Sequence, residues 1–258
     1  MSGEFTVAFE KLWVSLRERW CNSHNLGGAL AFSYDLKMVF FHRVVQVDVE
    51  NTRVDELIDD ALHHFLQKDF DCVFTLSPLD RPNDFGKRLL RRGFKQGLLA
   101  SAMVYDHHPI SPAPISPVAE ITKIDQDHFE IWSDLMCRNF DFPLAMVEAG
   151  RSWSTEPDLE HYIASTNGTA VGTALLYSQN GMGYIDLVGT LPEFRRRGIA
   201  SGLVLRAIAD SQAAGNRWTA LEAETGTYAE QLYERLGFRT IYHRYRYTKS
   251  LDNESQEI

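Results

Sequence analysis

Cysteine is scarce in this chain. Cys21, Cys72 and Cys137 are the only three in 258 residues, odd in number and widely scattered. That excludes a disulfide framework and fits reduced thiols. A zinc site is not expected: Cys21 with His24 lacks further ligands, and the pairs His63-His64 and His107-His108 have no partner at metal spacing. Long apolar runs are also missing. No stretch of about 18 apolar residues occurs, so no membrane partner or span is expected. The N-terminus carries Glu4, Phe5, Phe9 and Glu10 early, without a basic region leading into an apolar core. No secretory signal is therefore expected, and the location expected is cytoplasmic. Positive charge is the minority sign: 26 Lys and Arg against 35 Asp and Glu give a net charge of −9. General nucleic-acid binding needs a basic footprint and is not expected. Such a surface would tolerate a cationic small molecule such as an amine. Two common phosphate motifs are absent as well, GxxxxGK[ST] and GxGxxG.

What remains is a globular composition. Apolar residues make up 44% and aromatic residues 12%, enough for a sizeable core in one large or two small domains. The periodicity predicts a helix up to about Trp20, strands over Ala29–Tyr34 and Met38–Val49, a helix over Val54–Leu66, a strand from Cys72, a short helix over Asn83–Arg92 and a strand over Lys95–Tyr105. Four prolines come next, at 109, 112, 114 and 117, and read as an extended linker. Beyond them come a strand from Glu120, a helix over Asp127–Asn139, an irregular aromatic-bearing stretch over Phe140–Pro157, and a hairpin turning at Asn167-Gly168. The boundaries expected are 1–108 for a first domain, 109–117 for the linker, 118–250 for a second domain and 251–258 for a tail. The halves share an order. RLLRRGFK at Arg88–Lys95 matches LYERLGFR at Leu232–Arg239, each after a strand–helix–strand, and we read this as an internal duplication.

The chain is organised around Leu187–Leu203, LVGTLPEFRRRGIASGL. An apolar strand ends near Thr190. A turn with Pro192 comes next, then three arginines and Gly198, and then a helix with Ile199, Leu203, Val204 and Ala207 on one side. Gly198 lets a ligand approach the main chain closely. The N–H groups of the first helical turn and the helix dipole favour an anion there, and Arg195, Arg196 and Arg197 add charge.

The pattern Arg-x-x-Gly-x-Ala at Arg195, Gly198 and Ala200, with LYERLGF downstream, resembles the two hallmarks of GCN5-related N-acetyltransferases over roughly Val118–Lys249. The resemblance implies an α/β (α+β) fold: a mixed, centrally splayed sheet flanked by helices, acyl-CoA N-acyltransferase-like and present twice. It implies acetyl-CoA as co-substrate with no metal. The pyrophosphate would meet Arg195, Arg196, Arg197, Gly198, Ile199, Ala200 and Ser201, and the pantetheine arm the backbone of Val188, Gly189 and Thr190. Tyr233 matches the tyrosine that assists the leaving sulfur. The carboxylate that some members carry on the central strand falls here on Tyr184, which leaves the base open among Glu222, Asp186 and Glu224. Gly226 stands where many members have asparagine. The first half has no glycine after Val49, has Glu50 and Asp55 around the corresponding turn, and has Leu89 in place of the tyrosine. It reads as a degenerate copy without a cofactor site. The expected function is acetyl transfer from acetyl-CoA to an amine, a small molecule first among the acceptors; the alternative is a non-catalytic acyl-CoA-binding or regulatory module.

Overall fold

The computed structural model describes residues 2–36, 38, 41–105 and 119–250. The proline-rich linker expected at 109–117 and the tail expected at 251–258 lie outside them. The chain divides into two compact units. One takes the chain up to Ala102 and again from Ile241 onward; the other runs from Met103 to Thr240.

The first unit opens with helix α1 (Ser2–Trp20), then β1 (Asn22–Asn25), β2 (Leu30–Ser33) and β3 (Arg43–Val45). Helix α2 (Val54–Leu66), β4 (Cys72–Leu76), α3 (Phe85–Arg91) and β5 (Lys95–Tyr105) come after them, the last three residues of β5 belonging to the second unit. β1, β2 and β3 form an antiparallel meander, and β3 pairs parallel to β4 through Val44 and Phe74. The strand expected over Met38–Val49 is much shorter, because Gln46 takes a left-handed backbone with φ 54°. β1 gave no sequence signal: its residues Asn-Ser-His-Asn are all exposed. Helix α2 buries Val54, Leu57, Ile58, Ala61 and Phe65 against Phe74 and Phe85.

The second unit holds β6 (Glu120–Lys123), α4 (Phe129–Phe140), α5 (Ala145–Ala149), β7 (Leu159–Thr166), β8 (Thr169–Gln179), β9 (Met182–Thr190), α6 (Ile199–Ala213), β10 (Trp218–Glu224) and α7 (Tyr228–Arg235). β11 (Phe238–Lys249) begins in this unit. Its strand order is β10-β9-β8-β7-β6, with β9 and β10 parallel and the rest antiparallel. The β7–β8 turn has φ 51° at Asn167 and 75° at Gly168, the left-handed pair a two-residue hairpin requires. The stretch expected to be irregular, 140–157, contains α5 and a tighter helical turn at Gly150–Thr155. One side of the sheet receives Ile199, Leu203, Val204 and Ala207 of α6, packed with Ala174, Leu176 and Ile185.

β11 changes allegiance along its length. Phe238 sits in the core of the second unit. Tyr245 to Lys249 pair antiparallel with Leu76 to Cys72 of β4, which places residues from Ile241 on with the first unit although they come after the second in sequence.

Candidate functional site

The site forms where β9 and β10 part. They pair from Met182↔Trp218 to Ile185↔Leu221. Asp186 and Glu222 come next, one on each strand. Beyond them β9 carries an irregularity: Gly189 faces Thr173 and Asp186 faces Leu175, so Leu187 and Val188 stand opposite Ala174 alone. Two residues against one is a β-bulge, which bends the strand and re-aims its remaining residues. Leu187 takes φ 51° there, a conformation costing a non-glycine residue about 1–2 kcal/mol. Both of its backbone groups find side chains. Its N–H donates to Asp186 Oδ1 at 2.8 Å, and its carbonyl accepts from Thr173 Oγ1 at 3.2 Å. Asn139 Nδ2 in turn donates to Thr173 Oγ1 at 3.1 Å.

Past the strand the chain makes one tight turn at Pro192–Phe194 and enters the arginine loop. Arg196 has φ 61° and Gly198 φ 82°; Gly198 caps α6 in the left-handed conformation that glycine adopts without strain. The first helical bond runs from Gly202 N–H to Gly198 C=O at 3.0 Å. The N–H groups of Ile199, Ala200 and Ser201 precede it and have no acceptor within the helix. Arg195 Nε donates to the Thr190 carbonyl at 3.0 Å, and Arg197 Nη2 to the Glu193 carbonyl at 3.0 Å. Arg197 also stacks on Phe194, 5.3 Å from the ring centre.

These segments line a cleft of about 550 Å³, within the size range of small-molecule sites. Val188, Gly189, Thr190, Arg195, Arg196, Gly198, Ile199, Ala200, Ser201 and Tyr233 all face it. Arg197 does not line it, because its side chain turns back onto the loop. Glu222 is half-buried on β10 and outside the lining. Tyr184 is buried, 1% exposed. The lining also includes Asn139, Phe140 and Tyr228. Sequence patterning passed over Asn139 and Tyr228, which no spacing rule marks.

Tyr233 is 7% exposed and rests against Phe238 at 6.0 Å between ring centres. Burial first, and the Asp186 charge second, push its phenol well above the ordinary range. It stays protonated throughout the pH range of interest, and Asp186 lies close enough to act on it. The cleft thus has an anion-binding end at the start of α6, a strand edge at Val188–Thr190, and a buried phenol with a carboxylate nearby. A diphosphate attached to an extended amide-bearing arm fits the N–H groups, the left-handed loop and that edge.

Comparison with known proteins gives the class. Residues 120–238 match the model of the Acetyltransferase (GNAT) family. A segment of 92 residues is 38% identical to the N-alpha-acetyltransferase MAK3 of Arabidopsis thaliana, covering 33% of this chain and 48% of that protein. The chain therefore spans about half the length of this relative. Two solved structures resemble most of the chain in fold. A GCN5-related N-acetyltransferase from Kribbella flavida covers 95% of both chains at a TM-score of 0.75 and 16% identity. A tandem GNAT protein from the clavulanic acid biosynthesis pathway covers 86% of this chain and 78% of its own, at a TM-score of 0.62 and 12% identity. Residues 120–238 thus resemble an acetyltransferase domain of the GNAT family. Members of that family draw their acyl group from acetyl-CoA.

Among the described residues no helix is long and apolar enough to cross a membrane, and no group of three or more His, Cys, Asp or Glu could hold a metal ion.

Proposed function

We propose that this protein transfers an acetyl group from acetyl-CoA directly to a primary amine, in the cleft between β9 and α6. The observation that carries this reading is the convergence on one cleft of the Gly198 helix start, the strand edge Val188–Thr190 and the buried phenol of Tyr233. The N–H groups of Ile199, Ala200 and Ser201, with Arg196, hold the pyrophosphate. The strand edge binds the arm and polarises the thioester carbonyl through a backbone N–H. Tyr233 donates a hydrogen bond to the departing sulfur. A phenol whose pKa lies so far up transfers its proton reluctantly, so its contribution is charge stabilisation more than complete proton transfer. Asp186 and Glu222, side by side where the strands separate, attract the cationic amine, and one of them takes its proton, directly or through water.

A small-molecule amine is the acceptor we favour. The α-amino group of a polypeptide is the second reading, favoured by the N-alpha-acetyltransferase relative. The first unit is proposed to be a degenerate copy of the same fold that holds no cofactor. Fold resemblance of 86% of the chain to a tandem GNAT protein supports this.

The deciding experiment is calorimetry with acetyl-CoA on wild type and Gly198→Asp. Wild type is expected to bind one equivalent. The variant sets a Cβ and a carboxylate where the pyrophosphate comes closest, at a left-handed φ of 82°, and is expected to lose binding. Wild-type affinity in a folded Gly198→Asp protein would sink the assignment.

A further inference from the structure

The backbone of Leu187 is left out of the sheet ladder, and three side chains hold it. Asp186 takes its N–H, Thr173 takes its carbonyl, and Asn139 takes the remaining capacity of Thr173. Thr173 has a single hydroxyl proton, and it is spent on Leu187. Asn139 must therefore present its NH2 to Thr173. Asn139 also wedges against Gly189: a Cβ added to Gly189 would lie 2.6 Å from the Asn139 Cβ. On the other side a Cβ at Gly172 would lie 3.0 Å from the Gly189 carbonyl oxygen. The strand edge beyond the bulge is thus gripped from β8 and from the end of α4. Thr173 is wholly buried. Asn139 lines the cleft, whereas Thr173 does not.

We propose that Thr173 and Asn139 are positioning residues, which act through the bulge at Leu187 to set the direction of Val188–Thr190 for the acyl-bearing arm. The inference rests on the acetyl-CoA reading of the cleft. Without the Thr173 hydroxyl, the Leu187 carbonyl and the Asn139 NH2 both lose a buried partner, and the left-handed Leu187 loses half of what holds it. The ladder can then close toward a regular register, which turns Val188–Thr190 away from the cleft. The side chains of Tyr233, Asp186 and Glu222 are untouched, but the edge also carries the N–H proposed to polarise the thioester carbonyl, so the loss falls on cofactor binding and on turnover together.

The test compares Thr173→Val with Thr173→Ser. Valine keeps the shape and removes the hydroxyl; serine restores it. Acetyl-CoA affinity is measured by calorimetry, and KM and kcat by steady-state kinetics, at a temperature where each protein is folded. Thr173→Val is expected to weaken Kd and raise KM for acetyl-CoA about tenfold, with kcat lowered as well. Thr173→Ser is expected to stay near wild type. A purely structural role lowers Tm but leaves the affinity of the folded protein alone, so unchanged Kd and KM in Thr173→Val would overturn the proposal. Should Thr173→Val not fold, Asn139→Ala is read the same way. Loss of affinity there supports the proposal, and wild-type affinity overturns it. A wild type that binds no acetyl-CoA would instead remove the reading of the cleft, and the inference with it.

Discussion

The two units treat the same piece of architecture in opposite ways. Each has a parallel strand pair joined by a helix: β3 and β4 through α2, β9 and β10 through α6. In the second unit the pair separates after Asp186 and Glu222, and the end of β9 beyond them lines the cleft. In the first unit the gap is stitched shut. Past β3 and β4 the chain still bonds across it, from Arg81 N–H to the Val47 carbonyl at 2.7 Å and from Val49 N–H to the Arg81 carbonyl at 3.3 Å. The buried Asp80 carboxylate accepts from the N–H groups of Val47 and Ser77. A cavity of about 230 Å³ remains beside this seam, lined in part by Glu10, Lys11, Asp48 and Asp80 but by no residue of α2 or α3.

The helix starts differ in the same sense. At α6 a left-handed glycine leaves N–H groups facing the cleft. At α2 the N-cap is Arg53, with Asp55 and Glu56 in the first turn, which repel a phosphate. Arg53 pairs with Glu56 at 3.0 Å, Arg92 with Asp55 at 2.9 Å, and Arg88 donates to the Asn51 carbonyl at 3.2 Å. The cations near this turn serve the protein itself. Where Tyr233 faces the cleft, Leu89 is wholly enclosed in the core. An open strand pair and a left-handed helix cap go together in one unit, and a sealed pair with a self-neutralised cap in the other.

Four substitutions probe that contrast. Tyr233→Phe removes the hydrogen bond proposed to the leaving sulfur and keeps the ring. Turnover is expected to fall on the order of 10²-fold, with acetyl-CoA affinity little changed. An unchanged kcat, with chemistry rate-limiting, would make Tyr233 a packing residue like Leu89. Gly189→Val is the next largest. Its Cβ collides with Asn139, and overpacking of this kind costs about 1–3 kcal/mol. Acetyl-CoA affinity should drop by about 10- to 100-fold; calorimetry showing the wild-type value would mean that the edge needs no clearance.

Asp80→Asn tests the seam in the first unit. Burial raises the Asp80 carboxyl from 3.8 to about 6. The folded state therefore holds this proton more tightly than the unfolded state. The stability it contributes is complete below about pH 4 and is lost as pH rises through 6, roughly 3 kcal/mol across the window. Asparagine does not titrate. Denaturant unfolding at several pH values should show the wild type losing ground relative to Asp80→Asn between pH 4 and 6. A constant difference would mean that Asp80 titrates normally. The smallest effect is expected from Leu89→Tyr, which places a tyrosine at the matching position of the sealed unit. It should create no second acetyl-CoA site, and a stoichiometry of two would show that the seam does not block binding.

Much of this was legible from sequence. Apolar periodicity located α2, α6 and nearly every strand, and Asn167-Gly168 marked its hairpin. The Arg195–Ala200 pattern found the loop, because a tight anion cradle requires particular residues at fixed spacing. The bulge was not legible, for Leu187 is an apolar residue in an apolar strand, and only the register with β8 reveals its turn. Nor were Thr173 and Asn139, whose partnership spans 34 residues and two elements. Helix α5 hid in a short aromatic segment too brief for a 3.6-residue period to show. The seam at Asp80 was equally silent, since a carboxylate bonding the backbone N–H of Val47, 33 residues away, leaves no local mark.

β11 has a consequence for how the protein is made. The edge of β4 waits for Tyr245–Lys249, and those residues leave the ribosome only after the whole second unit has been synthesised. An N-terminal unit ordinarily folds while the rest of the chain is still being translated. Here it can assemble α1, the β1–β3 meander and α2, but β4 keeps unpaired main-chain groups throughout that interval, open to any extended segment that meets it. Correct folding thus depends on the timing of elongation as well as on the contacts of the finished molecule. A chain that stalls before Ile241 leaves β4 without the strand that closes it.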